Sequence, residues 1–159
     1  MALRLARGKA DSGLGTRTIT GFLAAPFFRF LVPCSTAMAG KHMLGTCHEK
    51  TILIRPEFMN STGSLFGGNM MKWADDMAFN AATLQFPQCH FVTKLFGQFD
   101  FTSPVAQGDI IKIYSVVESR STSSCKVLVW AENATTGADV FRTYAVMVNV
   151  RNNTKAPID

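Results

Sequence analysis

The sequence predicts an α+β fold in which a curved antiparallel sheet of about five strands wraps around one long central apolar helix. Three observations lead there. Residues 65–85 carry apolar side chains over a helical length of roughly five to six turns. Beyond Pro87 the chain reads as strand after strand, rich in Val, Ile, Phe and Thr. The turns between those strands are short and made of Ser, Thr and Gly, which implies antiparallel neighbours.

The elements follow in order. Residues 50–55, Lys-Thr-Ile-Leu-Ile-Arg, form a first strand that Pro56 ends. Residues 56–66 lead into the helix. There Met70, Met71, Trp73, Ala74, Met77, Ala78, Phe79, Ala81, Ala82 and Leu84 surround the whole circumference, and a helix that is apolar all round is expected to be buried. Lys72, Asp75 and Asp76 make it too polar to span a membrane. Phe86-Pro87 stops it, because proline cannot continue a helix. Residues 90–101 read as one strand, with Gly97 marking a bulge or a close backbone approach. Residues 110–118, 126–132 and 140–150 supply three more strands.

Charge divides the chain. Arg4, Arg7, Lys9, Arg17, Arg29 and Lys41 face a single acid, Asp11, in residues 1–48, whereas residues 49–159 hold ten basic and ten acidic residues. Domain organisation follows: 1–48 is a basic N-terminal extension and 49–159 is the folded domain. The net charge of +5 therefore belongs to the extension, and nucleic acid is not the expected partner of the folded part. An acid-poor, Ser/Thr/Gly-sprinkled basic start fits a mitochondrial targeting segment better than a secretory signal, with a cytoplasmic location as the alternative. Cys34, Cys47, Cys89 and Cys125 lack CxxC spacing, so free thiols and no metal site are expected.

The chemistry concentrates at the helix. Its start, Gly67-Gly68, offers N–H groups without intrahelical acceptors, a ready site for negative charge. Asp75 lies seven residues after Gly68, about 20° around the axis and about 10 Å further along it. A carboxylate on the face of an oxyanion-stabilising turn suits acyl chemistry. The bland alternative is a tight turn and acids paired with Lys72. No serine or cysteine sits on a nucleophile elbow, and His42, His48 and His90 lie away from the helix, which leaves water activation or direct attack by a carboxylate.

Asn60-x-x-Gly63-x-x-Phe66-Gly67-Gly68-x₆-Asp75 resembles the signature of the hotdog-fold acyl-CoA thioesterases, in the acyl-CoA hydrolase branch. The resemblance continues through Val92-Thr93, Phe101-Thr-Ser-Pro104-Val105, Gly108-Asp109, Thr122-Ser123-Ser124 and Val129-Trp130, over residues 49–150. It implies hydrolysis of acyl-CoA to fatty acid and CoA, with no cofactor besides the CoA carried by the substrate. Asp75 would be general base or nucleophile, Asn60 of the opposite subunit would position water or the carbonyl, and Gly67 and Gly68 would form the oxyanion hole. Arg120, Ser123 and Ser124 would meet the CoA arm. A homodimer with shared sites is implied, with a tetramer or hexamer as the larger assembly. A catalytically silent acyl-CoA-binding protein on the same fold is the alternative, because fold does not fix function.

Overall fold

The computed structural model describes residues 43–158. Strand β1 (His48–Leu53) pairs with β4 (Ile110–Arg120), β4 with β5 (Ser124–Asn133), β5 with β6 (Asp139–Arg151), and β6 with β2 (Phe91–Phe96). Every pairing is antiparallel. Two short strands, β3 (Asp100–Phe101) and β7 (Thr154–Lys155), also pair with β6. The five long strands form one sheet curled against helix α1 (Gly67–Gln85). Register shifts at Val117/Ser119, Ala131/Glu132 and Thr93/Leu95 interrupt the ladders, and such bulges bend a strand and increase its twist.

Strand alternation sorts the side chains. Cys125, Val127, Val129 and Ala131 of β5 point into the main core with Ile111, Ile113, Phe141, Ala145 and Met147. The alternate residues turn to the other face, where Trp130 stacks on Tyr114 with ring centroids 5.4 Å apart. Val116 completes that smaller cluster, and Met43, Cys47 and Leu128 pack on it. Ala74, Ala78, Ala81 and Ala82 of α1 are all but fully buried. Their small side chains let the helix axis approach the sheet closely, and Trp73 fills the remaining space edge-on to Phe58 at 5.1 Å.

The structure corrects three expectations. First, α1 is not buried all round: Met71, Phe79 and Leu84 are 46%, 44% and 65% exposed. One sheet covers one helical face only, so the apolar residues opposite it remain uncovered in a single chain. Second, residues 90–101 form two strands. Gly97 makes the close approach expected of it, since a Cβ there would sit 2.1 Å from Cε1 of Tyr144. Its N–H still reaches the Tyr144 carbonyl at 2.8 Å, and the strand pairing lapses after it and resumes with β6 at Asp100. Third, not all cysteines are free. Cys89 and Cys125 are buried free thiols, but Cys47 is disulfide-bonded.

The first strand begins at His48, and the Leu44 N–H reaches the Val117 carbonyl at 3.1 Å. The targeting expectation covers residues 1–48, of which 1–42 lie outside the described residues. The C-terminal hairpin had no counterpart in the sequence reading. Asn152 and Asn153 adopt positive φ of 52° and 59° and turn β6 into β7. Asn149 then holds the returning chain, donating from Nδ2 to the Pro157 carbonyl at 2.6 Å and accepting from the His90 N–H at 2.9 Å. This buries Ile158 in the main core. No helix among the described residues is long and apolar enough to cross a membrane.

Candidate active site

Asp75 sits in the third turn of α1, half-buried, and the Thr93 hydroxyl of β2 donates to its Oδ1 at 2.6 Å. Thr93 is thereby the residue that fixes the carboxylate, a role the sequence reading did not give it. The signal was present, since Val92-Thr93 was among the recognised motifs, but nothing in the sequence pairs β2 with the helix. Asp76 points elsewhere and lies 3.9 Å from Lys50 Nζ, an exposed pair of little energetic weight. The alternative in which both acids pair with Lys72 does not match this arrangement.

Asn60 occupies the loop before the helix. Its Oδ1 accepts from the Thr62 N–H at 2.9 Å, the Thr62 hydroxyl at 2.7 Å and the Ser64 N–H at 3.0 Å. Two backbone donors aimed at one atom identify it as the carboxamide oxygen. With that oxygen saturated, Asn60 offers a substrate only its Nδ2 protons. Thr62 thus serves the loop directly. Asn69 anchors the same region by donating from Nδ2 to the Phe58 carbonyl at 3.1 Å.

Gly67 and Gly68 open α1 after Phe66, where the first N–H groups have no intrahelical acceptor. A Cβ on Gly68 would lie 2.3 Å from the Phe66 ring, and one on Gly67 would lie 3.3 Å from the Phe101 ring. Both glycines therefore keep ring and backbone in close approach. Beside them lies an open cleft of about 330 Å³, lined by Gly67, Met70, Phe101, Pro104, Val105 and their neighbours. Asp75 is not among its lining residues.

The remaining sequence-predicted residues lie at another end of the sheet. Arg120 ends β4 and is exposed, and Ser123 and Ser124 belong to the β4–β5 hairpin. The Ser121 and Ser124 hydroxyls approach to 2.8 Å, and the Ser123 carbonyl accepts from the Asn149 N–H at 2.9 Å. Ser124 pairs with Val148 of β6, whereas the cleft wall Phe101 pairs with Phe141. Seven residues of β6 separate those points, about 23 Å along a strand. One chain therefore does not bring the hairpin to its own helix start. Nor does any hydrogen bond join Asn60 to Asp75 among the described residues.

A thiol nucleophile is disfavoured. Burial, then the neighbouring Cys89, pushes the Cys125 thiol up to about 11, so it stays protonated at neutral pH. Burial, followed by its hydrogen bond to Glu132, likewise raises the Tyr114 phenol. It lies on the outer face, away from the helix.

The family model for the thioesterase superfamily matches residues 62–140, a span running from the Asn60 loop through the helix to the start of β6. The chain belongs to the thioesterase superfamily. Solved structures share the superfamily's hotdog fold with it. An acyl-CoA hydrolase from Staphylococcus aureus, solved with butyryl coenzyme A, coenzyme A and coenzyme A disulfide, is 22% identical over 73% of each chain, with a TM-score of 0.65. An acyl-CoA hydrolase from Bacillus cereus is 24% identical over 70% of this chain and 71% of its own, with a TM-score of 0.64. The hexameric thioesterase of Yersinia pestis is 20% identical, covers 77% of this chain and 98% of its own, and has a TM-score of 0.64. The Staphylococcus aureus hydrolase is also known with an asparagine, an aspartate or a threonine replaced by alanine. That asparagine precedes that aspartate by fifteen positions, the spacing of Asn60 and Asp75 in this thioesterase-superfamily chain. No curated protein matches the sequence significantly.

Proposed function

We propose that this protein hydrolyses acyl-CoA thioesters, with Asp75 as the group that activates water and the Gly67 and Gly68 N–H groups as the oxyanion hole. The observation that carries the reading is the Asp75 carboxylate on the helix that Gly67-Gly68 opens, held by the Thr93 hydroxyl at 2.6 Å. Family membership and neighbours named as acyl-CoA hydrolases support the substrate class.

Geometry also supports a shared site. Asp75 and Gly68 of one chain are about 10 Å apart along the helix. A single thioester carbonyl needs its base and its oxyanion donors each at about 3 Å. Two helices placed antiparallel would bring Asp75 of one chain beside the helix start of the other. The uncovered Met71 and Phe79 provide an apolar surface for that pairing, and β2, which Thr93 joins to Asp75, is a sheet edge among the described residues. Hexameric neighbours fit a dimer as the building block of a larger assembly.

The reaction then runs as follows. Asp75 takes a proton from water, and the water oxygen bonds to the thioester carbonyl carbon. The oxyanion that forms accepts from Gly67 and Gly68, and Nδ2 of Asn60 donates to the water or carbonyl oxygen. Collapse breaks the C–S bond, and the CoA sulfur leaves with the proton held by Asp75. Half-buried Ser123 and Ser124 and exposed Arg120, at a hairpin remote from their own helix start, are assigned to the CoA arm of a site built with another subunit.

The test is release of free thiol from acyl-CoA by the wild type and by Asp75→Asn. The variant keeps the side-chain shape but cannot take the proton, so turnover is expected to fall roughly 10²–10⁴-fold while acyl-CoA still binds. Comparable turnover in the two proteins would leave a silent acyl-CoA-binding protein as the better account.

A further inference from the structure

The cleft beside Gly67 is formed by the chain itself before any substrate arrives. Its two walls are fixed by backbone hydrogen bonds, Leu65 N–H to the Val105 carbonyl at 3.0 Å and Thr102 N–H to the Val140 carbonyl at 2.9 Å. Its residues also differ in depth. Phe101 is 50% exposed and stands at the mouth, whereas Met70 and Val105 are buried and form the inner end. Gly67, whose N–H opens the helix, is part of the lining. A carbonyl bound at that N–H would therefore have the apolar cleft directly beside it. Trp73, Met77 and Phe79 are not among the residues that line the cleft, whereas Met70 is.

We infer that this cleft is the acyl subsite, that Phe101 supplies the wall along which the chain lies, and that Met70 sets the length of chain accepted. The inference rests on the hydrolase reading above. Three helical residues separate Gly67 from Met70, a rise of about 4.5 Å, so the chain that fits between them is short and linear. Branched or aromatic acyl groups would meet the pinned backbone of residues 102–105. Met70 is an unbranched, adjustable side chain at the inner end of the cleft and in the core, so its truncation or enlargement changes the depth at some cost in stability. The position of the break along the chain-length series is therefore read rather than the absolute rate.

The experiment measures kcat/KM for straight-chain substrates from acetyl-CoA to palmitoyl-CoA with wild type, Met70→Ala, Met70→Phe and Phe101→Ala. While the chain is still entering the cleft, each methylene buried adds about fourfold to kcat/KM. Beyond the length at which it reaches Met70, the gain stops. Met70→Ala is expected to move that break to longer chains and Met70→Phe to shorter ones. Phe101→Ala, which removes the half-exposed ring at the mouth, is expected to lower the gain per methylene below fourfold. A wild-type break that neither Met70 variant moves, or a Phe101→Ala profile superimposable on the wild type, overturns the assignment while leaving the hydrolase reading intact. Absence of hydrolysis of every substrate by the wild type overturns both.

Discussion

A single atom constrains Asn60 more than its position in a motif does. Its Oδ1 is consumed by Thr62 and Ser64, so any role toward substrate belongs to Nδ2. Asn60→Asp preserves the oxygen that organises the loop but exchanges the outward-facing donor for a negatively charged acceptor. It is expected to keep the melting temperature within a few degrees of wild type while turnover falls at least tenfold. The magnitude follows from loss of one hydrogen bond to a developing charge, about 1.5–3 kcal/mol. Equal losses of turnover in Asn60→Asp and Asn60→Ala, with no loss of stability in either, would assign the loop geometry no importance. Asn60 and Asp75 stand out in the sequence as candidates because their types and spacing resemble a family signature. Thr93 was not, because its bond to Asp75 exists only once β2 lies beside α1. The disulfide at Cys47 was equally illegible, since isolated cysteines without motif spacing say nothing about which of them meet.

Among the elements, the helix and the long strands follow from local patterns, and their limits follow from tertiary contacts. Alternation in β5 and β6 predicts which residues face the core, whereas the break of residues 90–101 depends on where pairing with β6 lapses and resumes. Gly97 and Gly68 make an informative pair. A Cβ at Gly97 meets Tyr144, a ring that Lys126 covers at 4.3 Å from its centroid and that sits within a central strand. A Cβ at Gly68 meets the ring of Phe66, which is 54% exposed and free to swing aside. Gly97→Ala is therefore expected to destabilise by about 1–3 kcal/mol, the usual cost of overpacking. Gly68→Ala is expected to cost little stability, helped by the better helix propensity of alanine, while reducing turnover by moving Phe66 over the proposed oxyanion hole. Thermal melts of the two variants check this, and a larger loss at Gly68 would mean that Phe66 is held fixed. The β6–β7 hairpin was missed although Asn152-Asn153 is a recognisable turn pair, because two-residue strands carry no periodicity of their own.

For the molecule as a whole, the apolar circumference of α1 was read as burial inside one chain, and the structure divides that burial in two. The sheet covers Ala74, Ala78, Ala81 and Ala82, while Met71 and Phe79 stay open next to the free edge of β2. Exposed apolar side chains beside a strand at the sheet edge among the described residues are the features on which the proposed association rests. In the proposed dimer the same pairing would bring Asp75 to the partner's helix start, so assembly and catalysis would stand on one geometric requirement. Mixing Asn60→Ala with Asp75→Asn in one preparation tests that requirement most directly. Each variant alone is expected to be nearly inactive, since every site in it lacks one partner. In a mixed dimer, Asp75 from the Asn60→Ala chain meets Asn60 from the Asp75→Asn chain, and one working site returns. Recovered thiol release on co-expression of the two variants is the predicted result, and a mixture as inactive as its separate components would contradict the shared site.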